Sequence, residues 1–186
     1  MPRRAMRRSP AGWLLLMVAL LSVPTGAARA VEDIIALPVM PEAPALSLPQ
    51  WPRGRLDLAA YRGRLLLVSF WAVWCRPCRE EFPAMARAYQ ALREEGVAMV
   101  AVNSGDSPEA VERFLRDHPL PFPVLLDRDS AAAGEWQVQG LPTTYVVTPD
   151  GRIYGGAIGA RAWDSPRMLA SVRELARRLR GAEARP

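Results

Sequence analysis

The feature that most constrains this chain is its pair of cysteines, which are the only two among 186 residues and stand three positions apart. They lie in the segment Trp-Cys-Arg-Pro-Cys at 74–78, after the continuous apolar run at 65–70, and a stretch with helical periodicity follows. A strand, a turn and a helix in that order place Cys75 at the N-terminus of the helix and Cys78 one turn inside it. We expect Cys75 to be exposed and the pair to form a redox-active disulfide that needs no other cofactor.

The predicted helix N-terminus favours the ionised form of Cys75. The thiolate is the nucleophile in disulfide exchange, whereas an ordinary free thiol is mostly protonated at neutral pH. Unpaired N–H groups at the start of a helix carry roughly half a positive charge, and the neighbouring Arg76 adds positive potential. Cys75 is therefore the predicted attacking residue, and Cys78 is the residue that resolves the mixed disulfide. Three neighbours are predicted to contact the substrate: Trp74, Arg76 and Pro77.

The N-terminal segment at 1–30 has the pattern of an export signal. Four arginines occur within 1–8, the uncharged stretch 11–23 follows, and small residues at 28–30 offer a cleavage site. The apolar stretch is shorter than the roughly 20 residues that span a bilayer, but its strong apolar character leaves an uncleaved membrane anchor as the alternative. Both possibilities export the rest of the chain, so we expect a periplasmic location.

The net charge of +5 does not indicate a nucleic-acid partner. Five of the 24 basic residues lie within the segment 1–30, which contains no acidic residue, and the remainder holds 19 basic and 19 acidic groups. A neutral domain lacks the basic surface that binds nucleic acid. The roughly 155 residues that remain suffice for one domain with its own core, so the single cysteine pair is free to cycle between its redox states.

Beyond the leader, the chain divides into a proline-rich arm or linker at 31–53 and an α/β domain at 54–182. Weak alternation at 45–61 predicts a hairpin at the edge of the sheet, and Pro-Asp-Gly at 149–151 predicts a second hairpin turn. The order of elements is typical of a parallel sheet with an antiparallel edge. The predicted strands are 65–70, 97–102, 122–126, 145–148 and 152–158, and the predicted helices are 76–95, 107–117, 130–136 and 166–180.

Two segments of the domain carry a family signature. The first is Phe-Trp-Ala-Val-Trp-Cys-Arg-Pro-Cys-Arg-Glu-Glu-Phe-Pro at 70–83, and the second is Gly-Leu-Pro-Thr-Thr at 140–144. Together they resemble the TlpA-type, membrane-associated thioredoxin-like proteins, and the resemblance extends over roughly 45–180. It implies a thioredoxin fold with an N-terminal extension, a central strand–helix insertion between Val97 and Leu126, and a mixed sheet flanked by helices.

The resemblance also implies site residues outside the cysteine pair. The loop at 140–144 matches the family's cis-proline loop, which lies against the dithiol and lets Leu141 and Pro142 meet an extended substrate; a trans proline at a strand start is the alternative. Relatives carry a glutamate three residues after the second cysteine, and Glu81 occupies that position. Because residues i and i+3 share a helix face, we hypothesise that Glu81 takes or relays the proton of Cys78. The alternative is a surface glutamate paired with an arginine.

The activity that the resemblance implies is that of an exported thiol–disulfide oxidoreductase working as a reductase. Its expected partners are disulfide-bearing proteins, with apocytochrome c before haem attachment as the first candidate. Its electrons would come from a membrane thiol transporter. Reduction for copper-site assembly in terminal oxidase, or general reduction, is the alternative within the enzyme class. The sequence leaves the reduction potential and the direction of electron flow open.

A copper or zinc carrier that uses Cys75 and Cys78 as ligands is the alternative of a different class. Structural zinc sites generally have four ligands, and the single histidine, His118, is distant from Cys78 in the sequence. A Sco-type copper chaperone has a Cys-x-x-x-Cys spacing, which differs from the spacing found here. The sequence therefore predicts no metal site, and it contains no peroxiredoxin motif.

Overall fold

The structure, a computed structural model, describes residues 34–183, with side chains described through residue 180. The predicted export signal, its cleavage site and the alternative membrane anchor fall on residues outside this range. Within the described part of the chain, no helix combines the length and the apolar character needed to cross a bilayer.

The described residues form one mixed sheet of eight strands. The strands are β1 (Ile35–Ala36), β2 (Ser47–Trp51), β3 (Arg55–Asp57), β4 (Leu65–Trp71), β5 (Val97–Ser104), β6 (Val124–Asp127), β7 (Thr143–Val147) and β8 (Ile153–Ile158). Their order across the sheet is β1-β8-β7-β4-β5-β6-β2-β3. The central strands β4, β5 and β6 are parallel, and the other neighbouring pairs are antiparallel. The predicted α/β sheet therefore has antiparallel strands on both sides of its parallel centre.

Helices cover both faces of this sheet. They are α1 (Arg76–Leu92), α2 (Pro108–Asp117), α3 (Ala131–Glu135) and α4 (Pro166–Glu183). Successive side chains of a strand point to opposite faces, so Leu65 and Leu67 of β4 pack in the cluster with α1, α2 and α4, whereas Leu66 and Val68 pack in the cluster with α3. Every residue of β4 is buried, as predicted for a strand covered on both faces.

The predicted helix over 76–95 forms as α1 followed by a 3-10 turn at Arg93–Glu95. Gly96 ends it with a φ of 77°, in the left-handed region where glycine carries no Cβ penalty. Pro83 lies inside α1, where it removes one backbone hydrogen bond. The buried face of α1 consists of Cys78, Glu81, Phe82, Met85, Ala88 and Leu92.

Two strands of the sheet, β1 and β2, lie within the proline-rich segment before residue 54. Strand β1 pairs with β8, and β2 pairs with β6. The hairpin predicted within 45–61 is the β2–β3 pair, and it covers the edge of β6, where backbone groups otherwise lack a strand partner. The prolines suggested a linker, but β2 pairs with β6 through Gln50 and Trp51, which leaves Pro49 out of that ladder. The segment between Val97 and Leu126, predicted as an insertion, consists of β5, α2 and most of β6.

Candidate active site

The two cysteines lie where β4 is followed by α1, at the carboxyl edge of the parallel strands. Cys75 is the N-cap residue of α1, and it forms a disulfide with Cys78 across a Cα–Cα distance of 5.3 Å. The Cys78 backbone N–H donates a hydrogen bond to Cys75 Sγ at 3.3 Å. An N–H group of the first helical turn therefore points at the sulfur of Cys75, which is the arrangement that stabilises a thiolate.

Cys75 is less accessible than the sequence predicts. In the disulfide form 4% of its surface is exposed, and Cys78 is fully buried. Both cysteines belong to the core cluster on that face of the sheet. The exposed surface beside the pair is supplied by Trp74, which is 71% exposed, and by the exposed residues Arg76 and Pro77.

Arg76 is not an unpaired positive charge beside Cys75. Its Nε donates to Glu80 Oε1 at 2.7 Å, in an exposed i,i+4 ion pair. The pair neutralises part of the potential that the sequence assigned to Arg76. Glu80 is therefore the surface glutamate that pairs with an arginine.

Glu81 is a buried carboxyl group on α1, three residues after Cys78. Only 3% of its surface is exposed. Its Oε2 accepts hydrogen bonds from the Arg161 backbone N–H at 3.0 Å and from Trp163 Nε1 at 3.2 Å, whereas Oε1 has no hydrogen-bond partner. Burial raises the pKa of Glu81 from 4.5 to about 7, and the two hydrogen bonds and the Arg161 charge offset part of this rise. The surface alternative for Glu81 is wrong, and the group can gain or lose a proton near neutral pH.

The loop before β7 returns to the same edge of the sheet as the cysteine pair. Thr143, the first residue of β7, pairs with Phe70 near the end of β4, so Leu141 and Pro142 lie beyond the end of β4. The Leu141–Pro142 peptide bond is cis, as expected from the family resemblance, and the trans alternative is wrong. The Pro142 carbonyl accepts a hydrogen bond from the Gly159 N–H at 2.8 Å, which connects this loop to the end of β8.

Two residues that contact the site were not identified from the sequence. Trp163 reaches Glu81 from the segment between β8 and α4, and no local signal marks a contact across 82 positions. Asp106 follows β5, and its Oδ2 accepts a hydrogen bond from the Val73 N–H in the cysteine loop. A signal for Asp106 was present, because the carboxyl ends of adjacent parallel strands meet at one edge of a sheet.

His118 ends α2 and contacts Phe114 rather than the cysteine pair. Its ring stacks on the Phe114 ring with the centroids 4.5 Å apart, and its Nδ1 lies 3.2 Å from the Phe114 carbonyl oxygen. Within residues 34–183, no group of three or more His, Cys, Asp or Glu side chains is arranged to hold a metal ion.

One family profile matches a part of the chain that contains the cysteine motif and most of the sheet. The profile of the AhpC/TSA family matches residues 39–155, which is more than half of the chain. The chain belongs to the AhpC/TSA family. The thioredoxin-like relationship predicted for this AhpC/TSA protein from the segments at 70–83 and 140–144 is thereby confirmed.

Two curated relatives of this AhpC/TSA protein are named thiol-disulfide oxidoreductase ResA. The protein from Bacillus subtilis (strain 168) is 38% identical over 112 residues, which are 60% of this chain and 63% of the relative. The protein from Bacillus anthracis is 30% identical over 118 residues, which are 63% of this chain and 68% of the relative. The AhpC/TSA chain thus spans less than two thirds of the B. subtilis relative.

A solved structure shares the fold over its whole length. It is the crystal structure of a protein described as thiol:disulfide interchange protein DsbE from Chlorobium tepidum, and it superimposes with a TM-score of 0.67 at 26% identity. The superposition covers 80% of this chain and 100% of that chain. The predicted thioredoxin-like α/β fold is confirmed, and this AhpC/TSA protein has the fold and the Cys-x-x-Cys disulfide of a thiol–disulfide oxidoreductase.

Proposed function

We propose that the chain is a thiol–disulfide oxidoreductase that works as a reductase of protein disulfides. The observation that carries this proposal is the buried carboxyl group of Glu81, three residues beyond Cys78 on the buried face of α1. A redox dithiol needs one thiol that ionises readily and a group that removes the proton from the second thiol. The residues to which we assign these two roles lie within 75–81.

The proposed reaction begins when Cys75 attacks a substrate disulfide. The sulfur of Cys75 lies at the start of α1, where the Cys78 N–H and the helix dipole stabilise its negative charge. The thiolate bonds to one substrate sulfur, and the bond between the two substrate sulfurs breaks. The second substrate sulfur leaves as a thiolate and takes a proton from the solvent.

The second half of the reaction releases the substrate. Cys78 gives its proton to Glu81, and the resulting thiolate attacks the sulfur of Cys75. The mixed disulfide breaks, the Cys75–Cys78 disulfide forms, and the substrate sulfur that was bonded to Cys75 leaves as a thiolate that takes the proton from Glu81. Two electrons pass from the protein dithiol to the substrate disulfide, and a membrane thiol transporter is the proposed source that reduces the protein again.

The proposed substrate surface combines the cysteine loop with the cis-proline loop. Trp74 supplies a large exposed apolar area, while Leu141 and Pro142 lie at the same edge of the sheet. Backbone groups of such a loop pair with an extended peptide, which allows many sequences to bind. Arg76 and Pro77 are the other exposed residues of this surface beside the cysteine pair.

The substrate class that we propose is the cysteine pair of apocytochrome c, in the periplasm. The support is the TlpA-type resemblance of 70–83 and 140–144, together with the export pattern of the segment 1–30. Reduction for copper-site assembly in terminal oxidase and general reduction are the alternatives within the same chemistry.

The direction of electron flow is tested by the reduction potential against glutathione. We expect a value closer to the about −270 mV of thioredoxin than to the about −120 mV of a periplasmic oxidant, because the residues between the cysteines include no histidine. A value near that of the oxidant contradicts the proposed reductase.

The substrate is tested by trapping on Cys78→Ala, which retains Cys75 but cannot resolve the mixed disulfide. In the native host we expect apocytochrome c to be recovered as the disulfide-linked partner. Cys75→Ala is the matched control, and it should trap nothing at that position. Recovery of a copper-site assembly protein instead replaces the proposed substrate class and leaves the proposed chemistry in place.

A further inference from the structure

The carboxyl group of Glu81 is held asymmetrically by a segment that is distant in sequence. Its Oε2 accepts from the Arg161 backbone N–H at 3.0 Å and from Trp163 Nε1 at 3.2 Å. Both donors lie between β8 and α4, and Oε1 has no hydrogen-bond partner. A proton placed on Oε2 would compete with these two donors, so a neutral Glu81 carries its proton on Oε1.

We propose that Trp163 is a positioning residue for Glu81: its indole N–H, together with the Arg161 backbone N–H, holds Oε2 and leaves Oε1 as the oxygen that exchanges a proton with Cys78. This inference rests on the proposed role of Glu81 as proton acceptor. In the resolving step, the S–H bond of Cys78 breaks and an O–H bond forms at Oε1. The thiolate then attacks the sulfur of Cys75, and the substrate sulfur leaves as described above.

Trp163 has the chemical properties that this role requires. The indole N–H is a donor only, so it stabilises the ionised carboxylate and cannot take its proton. The side chain is 1% exposed and packs in the same core cluster as Cys75 and Cys78. Its orientation towards Glu81 is therefore fixed by packing.

The charges around Glu81 remain unchanged when the indole N–H is removed. Among the described residues, the charge that acts on Glu81 is the Arg161 guanidinium. This guanidinium donates to backbone carbonyl oxygens of its own loop, namely those of Ile158, Gly159 and Ala160. The titratable groups next to Glu81 on α1 are those of Cys78 and, one turn earlier, Cys75, which form the disulfide here. Trp163→Phe therefore removes this hydrogen bond and part of a buried ring, and it leaves these charges in place.

The test compares Trp163→Phe with Trp136→Phe. Both indoles are nearly fully buried, with 1% and 2% of their surfaces exposed. Trp136 belongs to the cluster on the other face of the sheet, and its Nε1 has no hydrogen-bond partner. The first readout is the titration midpoint of the Glu81 carboxyl infrared band, with Glu81→Gln as the blank. The second is the pH dependence of the rate at which a preformed mixed disulfide on Cys75 is resolved.

Trp163→Phe should raise the titration midpoint of Glu81 by about one pH unit, because a lost hydrogen bond to the charged form favours the protonated form. At pH values below the wild-type midpoint, the resolving step of Trp163→Phe should be about tenfold slower than that of the wild type. Trp136→Phe should leave both readouts at their wild-type values. A wild-type midpoint in Trp163→Phe overturns the inference. If instead Glu81→Gln resolves the mixed disulfide at the wild-type rate, the proposed function of Glu81 fails independently of Trp163.

A second substitution keeps the test decisive if Trp163→Phe does not fold. Incorporation of 3-benzothienylalanine at position 163 replaces the ring N–H with sulfur and retains the shape of the indole. The same upward shift of the Glu81 midpoint is expected from this variant. An unchanged midpoint in the folded benzothienyl protein overturns the positioning role.

Discussion

The backbone N–H of Val73 donates a hydrogen bond to Asp106 Oδ2 at 2.6 Å, which ties the loop that carries the cysteines to the loop after β5. The same carboxylate oxygen accepts a second hydrogen bond from Asn103 Nδ2 at 2.8 Å. Asp106 therefore joins two neighbouring parallel strands beyond their carboxyl ends. The position of Cys75 depends on this carboxylate as well as on the residues of its own turn.

Asp106→Ala should destabilise the protein by about 1–3 kcal/mol, because the partly buried Val73 N–H loses its acceptor. The reaction of Cys75 with a small disulfide should slow in parallel, since the loop is held less firmly. Asp106→Asn retains an acceptor oxygen and should recover most of both losses. The measurements are the urea unfolding curve and the exchange rate.

The matched control for Asp106 is Asp129→Ala. Asp129 is an exposed carboxylate that accepts a hydrogen bond from the Ala131 N–H at 3.2 Å, away from the cysteine loop. Its loss should change stability by no more than about 0.5 kcal/mol. Equal stabilities and equal exchange rates for Asp106→Ala and Asp129→Ala would contradict the role given to Asp106.

The free energy of unfolding should fall as the pH rises from the acid side to above neutrality, and Glu81→Gln should abolish this fall. The folded state raises the pKa of Glu81 from 4.5 to about 7 by burial, so it binds the proton more tightly than the unfolded chain does. The stability that follows is fully present below the unfolded value and is lost as the pH rises through about 7. The expected loss is on the order of 3 kcal/mol. Urea unfolding at pH values on both sides of this window measures it.

Glu80→Gln is the control for this pH dependence. Glu80 is exposed and pairs with Arg76 on the same turn of α1. We expect its variant to keep the wild-type pH dependence. The prediction is wrong if Glu81→Gln loses as much stability between acid and alkaline pH as the wild type.

Gly155→Ala should weaken the docking of β1. A Cβ added at Gly155 meets backbone atoms of Ile35 and Ala36, which cannot move without breaking the pairing of β1 with β8. We expect a destabilisation of about 1–3 kcal/mol, as for other overpacked sites. Gly134→Ala in α3 is the control, because nothing lies within 4 Å of its added Cβ, and alanine there should stabilise the helix by up to about 1 kcal/mol. The measurement is the thermal unfolding of both variants. If Gly155→Ala is as stable as Gly134→Ala, the predicted clash with β1 is ruled out.

Trp74→Ala should reduce activity on protein disulfides without a matching loss of stability. Trp74 is 71% exposed, so its truncation should change the free energy of unfolding by no more than about 0.5 kcal/mol. An exposed tryptophan at the centre of a contact surface is a common binding hot spot, and we expect kcat/KM for a protein substrate to fall about tenfold. The rate with a small disulfide should change much less, because a small molecule covers little of this surface.

The control for Trp74 is Ile35→Ala. Ile35 is 65% exposed and lies in β1 at the outer edge of the sheet. Its loss should leave kcat/KM for the protein substrate unchanged. Equal effects of the two substitutions would show that any exposed apolar side chain contributes to substrate binding, and not specifically the one beside the cysteine pair.

The elements that depend on neighbouring residues were predictable from the sequence. The apolar run at 65–70, the cysteine spacing and Gly96 together define β4 and α1, because each signal acts within a few positions of the element it forms. The cis-proline loop at 140–144 was also identified, in this instance through a family resemblance rather than through local physics.

The features that depend on long-range contacts were not predictable. Burial of Glu81 requires Trp163 and the Arg161 backbone, some 80 positions away, and the sequence around Glu81 is equally compatible with an exposed helix face. The pairing of β1 with β8 joins the two ends of the domain, and two-residue strands carry no periodicity to detect. The prolines of 31–53 predict an arm because a proline restricts only the backbone around it. The pairings of β1 and β2 instead involve strands that are far away in the sequence.

The segment that contacts Glu81 lies after all eight strands, which has a consequence for synthesis of the protein. A ribosome delivers the cysteine turn and α1 long before it delivers Trp163. A nascent chain that ends within β7 already holds both thiols but lacks the partners that hold the carboxyl group of Glu81. The two hydrogen bonds to Glu81 Oε2 therefore form only after the last loop has docked.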